Sequence, residues 1–122
     1  MTSRIVRITQ RSDFVHAANH GYKCAKPGLV LQCVKTRHLN TTDTIRKNDQ
    51  MGFRIGFTAT RQIGGAVTRN RAKRRLRGVA ARVMPEHAKT GYDYVLIART
   101  TTTKRSFKDL IGDLTTALAE VT

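Results

Sequence analysis

The run IGGAVTRNRAKRRLRGVAARV, from Ile63 to Val83, decides how the rest of this 122-residue chain is read. Six of the nine residues from Arg69 to Arg77 are cationic: Arg69, Arg71, Lys73, Arg74, Arg75 and Arg77. So dense a basic run would suit a solvated tail, except that Ala72, Leu76, Val79, Ala80 and Val83 keep i, i+4, i+7, i+8, i+11 spacing through it. The spacing predicts a helix with one apolar face. At about 100° per residue, Asn70, Arg74 and Arg77 lie opposite that face, and Arg71, Lys73, Arg75 and Arg82 flank it. Guanidinium groups bind phosphate through paired hydrogen bonds and stack on bases, so an arginine array held by a buried stripe suits nucleic-acid recognition. No acidic residue stands between Asp49 and Glu86 to balance the charge.

The whole chain repeats that bias. Its 23 Lys and Arg against 8 Asp and Glu give a formal net charge of +15, and self-repulsion of that size favours a polyanionic partner. The length and a hydrophobic content of 39% suit one domain with one core. No run of 18 apolar residues and no signal-peptide apolar region in MTSRIVRITQRSDF points to a membrane, so a cytoplasmic, membrane-free protein is expected. Cys24 and Cys33 make neither a disulfide framework nor a metal knuckle and are read as reduced thiols. His16 and His20 share a helix face at i, i+4, but with no HExxH pattern and no third ligand they suit packing or an RNA contact rather than zinc.

Taken in order, residues 1–11 form an extended basic lead-in with Arg4, Arg7 and Arg11. Ser12 is placed to cap a short helix through about Asn19, with Asp13 in its first turn and Gly21 past its end. LVLQCVK, Leu29 to Lys35, reads as a strand, with Pro27 and Gly28 bending the segment before it. Polar residues 37–50 suit a long hairpin connection. In GFRIGFTAT, Gly52 to Thr60, the residues Phe53, Ile55, Phe57 and Ala59 alternate with Arg54, Gly56, Thr58 and Thr60, as in a strand with one buried face and one face open to a ligand. Gly64 and Gly65 permit a tight loop into the basic helix. Pro85 and Gly91 mark a short connection to YDYVLIAR, Tyr92 to Arg99, a central strand. Ser106 and Asp109 then open a last helix whose stripe is Phe107, Leu110, Ile111, Leu114, Leu118 and Val121. The expected fold is α+β, a small two-layer α/β sandwich with element order helix, two or three strands, basic helix, strand, helix, and with the helices on one face. Ordinary chirality makes the strand-helix-strand crossover right-handed.

RQIGGAVTRNRAKRRLR, Arg61 to Arg77, closely resembles the signature of the bacterial ribonuclease P protein component: a basic loop, Gly-Asn-Ala-Val, then Arg-Asn-Arg in a basic helix. Asp13 and Phe14 in the first helix, the strand before the loop, YDYVLIAR and the final amphipathic helix follow the family's order, so the resemblance covers about residues 4–120. It implies a left-handed βαβ crossover and a single RNA-binding domain that pairs 1:1 with a catalytic RNA. The implied task is to assist magnesium-dependent removal of the 5′ leader from precursor tRNA. By position it implies contacts to the catalytic RNA from Arg69, Asn70 and Arg71, supported by Lys73, Arg74, Arg77 and Arg61. It also implies a cleft for the single-stranded leader between the first helix and the sheet, with Phe14 as an aromatic. Ala18 and Gln32 stand where the family often has further aromatics, and Gly65 and Arg61 where it usually has Asn and Lys. Leader binding would then lean on cations and polar groups, with Arg54 and Thr58 on the open strand face as candidates beside Gln32.

The residues themselves offer no protein active site. A two-metal nuclease needs several carboxylates gathered in one place, and the eight acids here are spread thinly; Asp109 and Asp113 share a helix face but suit cap or salt-bridge roles. The implied chemistry therefore belongs to the RNA and its magnesium. A structural RNA-binding protein of ribosomal type is the competing reading, which composition alone does not separate.

Overall fold

The computed structural model describes residues 5–36 and 53–121. The elements are β1 (Ile5–Arg7), α1 (Arg11–His20), β2 (Tyr22–Lys26), β3 (Leu29–Lys35), β4 (Phe53–Thr58), a 3-10 turn (Arg61–Ile63), α2 (Ala66–His87), β5 (Tyr92–Ala98) and α3 (Phe107–Val121). The strands form one sheet in the order β1-β4-β5-β3-β2. Strand β5 runs parallel to β4 and antiparallel to β3, and β1 runs parallel to β4 on the outer edge. The basic helix α2 is thus the crossover of a parallel β4-α2-β5 unit.

The core follows the strand alternation. Phe53 and Ile55 of β4, Tyr94, Leu96 and Ala98 of β5, and Leu29, Leu31 and Cys33 of β3 face one side of the sheet. There they meet the expected stripe of α2, Ala72, Leu76, Val79, Ala80 and Val83, and the stripe of α3, Leu110, Leu114 and Leu118. Ala117 is buried with them, while Phe107 is left half-exposed with its ring beside Gly78. Sheet and two helices make the two-layer sandwich. Helix α1 does not join that layer: it lies on the opposite face, where Ala17 and the half-buried Phe14 pack with Ile8, Val95, Val34 and Ile97.

Several local expectations are corrected. Pro27 and Gly28 do not merely bend a segment; they are the tight turn between two paired strands, with Lys26 opposite Leu29 and Tyr22 opposite Cys33. Residues 37–50 lie outside the described residues, yet the strands they join are no hairpin, because β5 sits between β3 and β4. The first helix starts at Arg11 with Gln10 in the cap position, which leaves Ser12 inside the first turn. Pro85 does not end α2, which continues to His87. Its ring removes a single donor near the C-terminus, Met84 stays fully buried, and the Ala88 amide closes the last turn by donating to the Met84 carbonyl at 2.8 Å. Ser106 does cap α3, its hydroxyl accepting from the Asp109 amide at 3.0 Å.

A buried polar cluster ties the layers together. Asp113 of α3 accepts from the Gly28 amide at 3.0 Å and pairs with the Arg105 guanidinium at 2.9 and 3.1 Å. The Thr102 hydroxyl donates to the Gly28 carbonyl at 2.7 Å and accepts from the Arg99 amide at 2.8 Å. Replacing Asp113 by Ala strands both the Arg105 charge and the Gly28 amide, and the expected cost is about 3 kcal/mol in denaturant unfolding.

Burial also perturbs two groups in the core. It pushes the Cys33 thiol up to about 11 and the Tyr94 phenol up to about 12. Above the ordinary values of 9.0 and 10.0 the unfolded chain releases these protons while the folded chain still holds them. Stability is therefore full below pH 9 and falls as pH rises from there toward about 12. Thermal unfolding across that range should show the decline, and Cys33→Ala should make it shallower.

Candidate nucleic-acid interface

The buried stripe of α2 fixes which basic side chains face outward. Asn70, Arg71, Arg74 and Arg77 are exposed, as is Arg61 in the 3-10 turn before the helix. Arg69 and Lys73 are half-buried on the flank of the helix. Arg69 turns back on the loop, its guanidinium donating to the Gly64 carbonyl at 3.0 Å. Gly64 has φ 141°, a conformation that disfavours side chains, so Arg69 clasps a turn that only glycine makes readily. Arg75, which the helical wheel puts on a flank, is fully engaged elsewhere: it donates to the Thr102 carbonyl at 3.1 Å and to the Arg105 carbonyl. The basic run thus divides into arginines that hold the fold and arginines that are free to face a ligand.

On the other face of the sheet, α1 stands off the strands and leaves a cleft of about 230 Å³ lined by Arg11, Phe14, Val15, Ala18, Gln32, Thr58, Val95 and Ile97. Phe14, Gln32 and Thr58, which the family resemblance assigned to one cleft, meet here. Phe14 sits directly over β4, because a Cβ at Gly56 would lie 2.6 Å from its ring; the glycine is what lets the aromatic approach the strand. Gln32 is buried at 6% exposure, set in the floor rather than on the rim. The small side chain of Ala18 opens the cleft where a second aromatic would close it.

A second hollow of about 460 Å³ continues from the first around the end of β4, lined by Thr9, Arg11, Phe14, Phe57, Thr58, Ala59 and Lys73. The two share Arg11, Phe14 and Thr58, so one groove runs from beneath α1 to Lys73 of the basic helix. Phe57 in its wall is covered by the Arg7 guanidinium, 5.5 Å from the ring centroid. Sequence reasoning did not assign Arg11 to the cleft. The available signal was its spacing: Arg11, Phe14 and Ala18 fall at i, i+3, i+7, on one face of α1.

Arg54 is not part of this lining. Its guanidinium grips Asp93 through two hydrogen bonds of 2.8 and 2.6 Å and lies 3.4 Å from Asp13. Two carboxylates thereby occupy a side chain whose strand position alone suggests an open cation. The Asp93 contact, more than any other, holds this guanidinium above its ordinary pKa, so it stays charged at any pH at which the protein folds.

The acids of the described residues serve mainly as ion-pair partners. Among the described residues there is no group of three or more His, Cys, Asp or Glu able to hold a metal ion. Asp13, Asp93 and Asp113 each face an arginine, and Glu120 pairs with Lys26. These residues do not fit a protein-held magnesium. The His16 and His20 rings lie 4.9 Å apart, tilted at 42° to one another.

Fold and groove together define a basic α+β protein with a groove that reaches its most cationic helix. The chain belongs to the ribonuclease P protein family, whose model matches residues 2–122. It is 40% identical over 121 residues to the ribonuclease P protein component of Paramagnetospirillum magneticum, covering 99% of this chain and 86% of the relative. It is 44% identical over 117 residues to that of Caulobacter vibrioides, covering 96% and 71%. Its fold matches the ribonuclease P protein of Staphylococcus aureus with a TM-score of 0.71 at 22% identity, covering 97% of this chain and 98% of the other. The Thermotoga maritima protein matches with a TM-score of 0.72 at 23% identity, covering 95% and 97%.

The division of the arginines can be measured without any ligand. Arg75→Ala should lower unfolding stability by about 1.5 kcal/mol, because it abandons two backbone carbonyls of the loop before α3. Arg71→Ala, on the exposed face, should stay within about 0.5 kcal/mol of the parent protein.

Proposed function

We propose that this chain is the protein subunit of an RNA-based ribonuclease P, which removes the 5′ leader of precursor tRNA. The observation that carries the reading is the continuous groove from the Phe14 cleft to Lys73 of α2. A single strand entering under α1 would leave beside the basic helix, so a leader and a folded catalytic RNA could be held by one small protein in a fixed relation. The exposed row Asn70, Arg71, Arg74 and Arg77, with Arg61, Arg69 and Lys73 beside it, would take phosphates of the catalytic RNA. Arginine forks on a helix pinned by its buried stripe lose little freedom on binding.

In the cleft, Phe14 offers a ring face to a base, Gln32 a fixed amide in the floor, Thr58 a hydroxyl, and Arg11 a cation at the mouth. One aromatic in place of several leaves a larger share of leader binding to charge and hydrogen bonding. The chemistry itself is assigned to the RNA and its magnesium, in keeping with Asp13, Asp93, Asp113 and Glu120 each being engaged by a cation of this chain. What the protein supplies is neutralisation of phosphate repulsion and placement of the scissile region, both effects of proximity. A 1:1 complex working in the cytoplasm fits this division of labour.

Cleavage of a precursor tRNA at low magnesium tests the reading, with the protein alone, with a bacterial ribonuclease P RNA alone, and with both. Cleavage at the mature 5′ end should need both. RNA binding without stimulation would favour a purely structural RNA-binding protein, and cleavage by the protein alone would overturn the assignment of the chemistry. Within the assembled enzyme, Phe14→Ala should weaken precursor binding about tenfold, the worth of one lost base stack, while sparing mature tRNA. Arg71→Ala should reduce the salt dependence of catalytic-RNA binding by roughly 0.7 to 0.9 log unit, the loss of one phosphate contact.

A further inference from the structure

The ion cluster under α1 has no place in the binding chemistry above, yet it joins four separated parts of the chain. Asp93 opens β5 and is fully buried, Arg54 is its direct neighbour on β4, and Asp13 lies in the first turn of α1, 4% exposed. The Thr36 hydroxyl, just past β3, donates to the same Asp93 carboxylate at 2.8 Å. Asp93 takes both ends of the Arg54 fork, and this two-point grip fixes the guanidinium plane. The nitrogen that bonds Asp93 at 2.6 Å also points to Asp13, at 3.4 Å.

Helix α1 rests on the sheet through few apolar side chains. Its sheet-facing apolar contact comes from Ala17 and Phe14, and Asp13 is the buried polar side chain beside them. Asp13 immediately precedes Phe14, and Phe14 lies over Gly56, two residues along the strand from Arg54 and on the same face. Where Asp13 sits therefore determines where the ring stands over the cleft floor.

We propose that Arg54 is a positioning residue for the nucleic-acid cleft: clamped by Asp93, it seats α1 through Asp13 and so sets the height of Phe14 above the sheet. Arg54 touches no leader phosphate. This rests on the reading of the cleft as the site of the single-stranded leader.

The test uses the assembled ribonucleoprotein with Arg54→Met and, separately, Asp13→Asn. Both variants should weaken precursor tRNA about tenfold, with mature tRNA and catalytic-RNA affinity unchanged. The slope of precursor affinity against salt should stay that of the parent. Asp13→Asn is the sharper arm, because removing an acid beside a polyanion would by simple charge tighten binding, whereas loss of the seat weakens it. A drop in slope of about 0.7 log unit in Arg54→Met would mark a direct phosphate contact on a single strand and overturn the proposal; so would tighter binding by Asp13→Asn. Hydrogen exchange read on the amides of α1 in the same complexes separates the seat from the cleft reading. Faster exchange confined to α1 in both variants is expected. Unchanged exchange overturns the seat even if the parent protein binds precursor and mature tRNA alike, a result that would by itself sink only the leader assignment.

Discussion

The burial of one stripe, Ala72, Leu76, Val79, Ala80 and Val83, against the sheet governs the whole molecule. It supplies the apolar area that lets a chain of +15 fold at all, and it sets the rotation of α2. Because that rotation is fixed, Asn70, Arg71, Arg74 and Arg77 present themselves as a rigid row instead of a mobile basic tail. Stability and recognition come from opposite sides of the same helix.

The few acids are used with similar economy. Asp93 and Asp13 hold Arg54, Asp113 holds Arg105 and the Gly28 amide, and Glu120 holds Lys26. These contacts join separate elements: sheet to α1, the loop before α3 to α3 and the first hairpin, and β2 to α3. Pairing neutralises cations that would otherwise repel one another inside the fold, and among the described residues no ion pair engages the outward row of α2. The pattern of charge on the surface follows from which cations the acids can reach.

What periodicity can report was legible in the sequence. The α2 stripe is buried residue for residue, β4 alternates as its sequence does over Phe53, Arg54 and Ile55, and Ser106 caps α3. Misreadings arose where the cause lies elsewhere in the chain. Nothing local says that β5 inserts between β3 and β4, so a polar connection looks like a hairpin loop. Nothing local places α1 on the opposite face, although its burying residues, Phe14 and Ala17, are three apart as a helix requires. Arg54 looked like an open cation because its strand alternates; its partners, Asp13 and Asp93, are 41 positions before and 39 after it. Arg75 looked no different from Arg71 until the carbonyls of Thr102 and Arg105 were in place. The cleft of Phe14, Gln32 and Thr58 was implied by the family resemblance, whereas periodicity alone showed these residues singly and their convergence followed only from the sheet order.

That order has a consequence for how the molecule comes into being. Only the β2-β3 hairpin and the short β1-β4 pair can form before Tyr92 to Ala98 exist, and two-stranded pieces of that size are marginal in water. Both remaining ladders, β3-β5 and β4-β5, need the strand that lies at the centre of the sheet and arrives after α2. During synthesis, therefore, the basic helix leaves the ribosome before the surface that will bury its apolar side is complete. The last strand acts as a keystone, and long-range closure of this kind is slow compared with helix formation. For an interval set by that difference, the most cationic segment of the chain is a helix without a home, in a cell full of RNA.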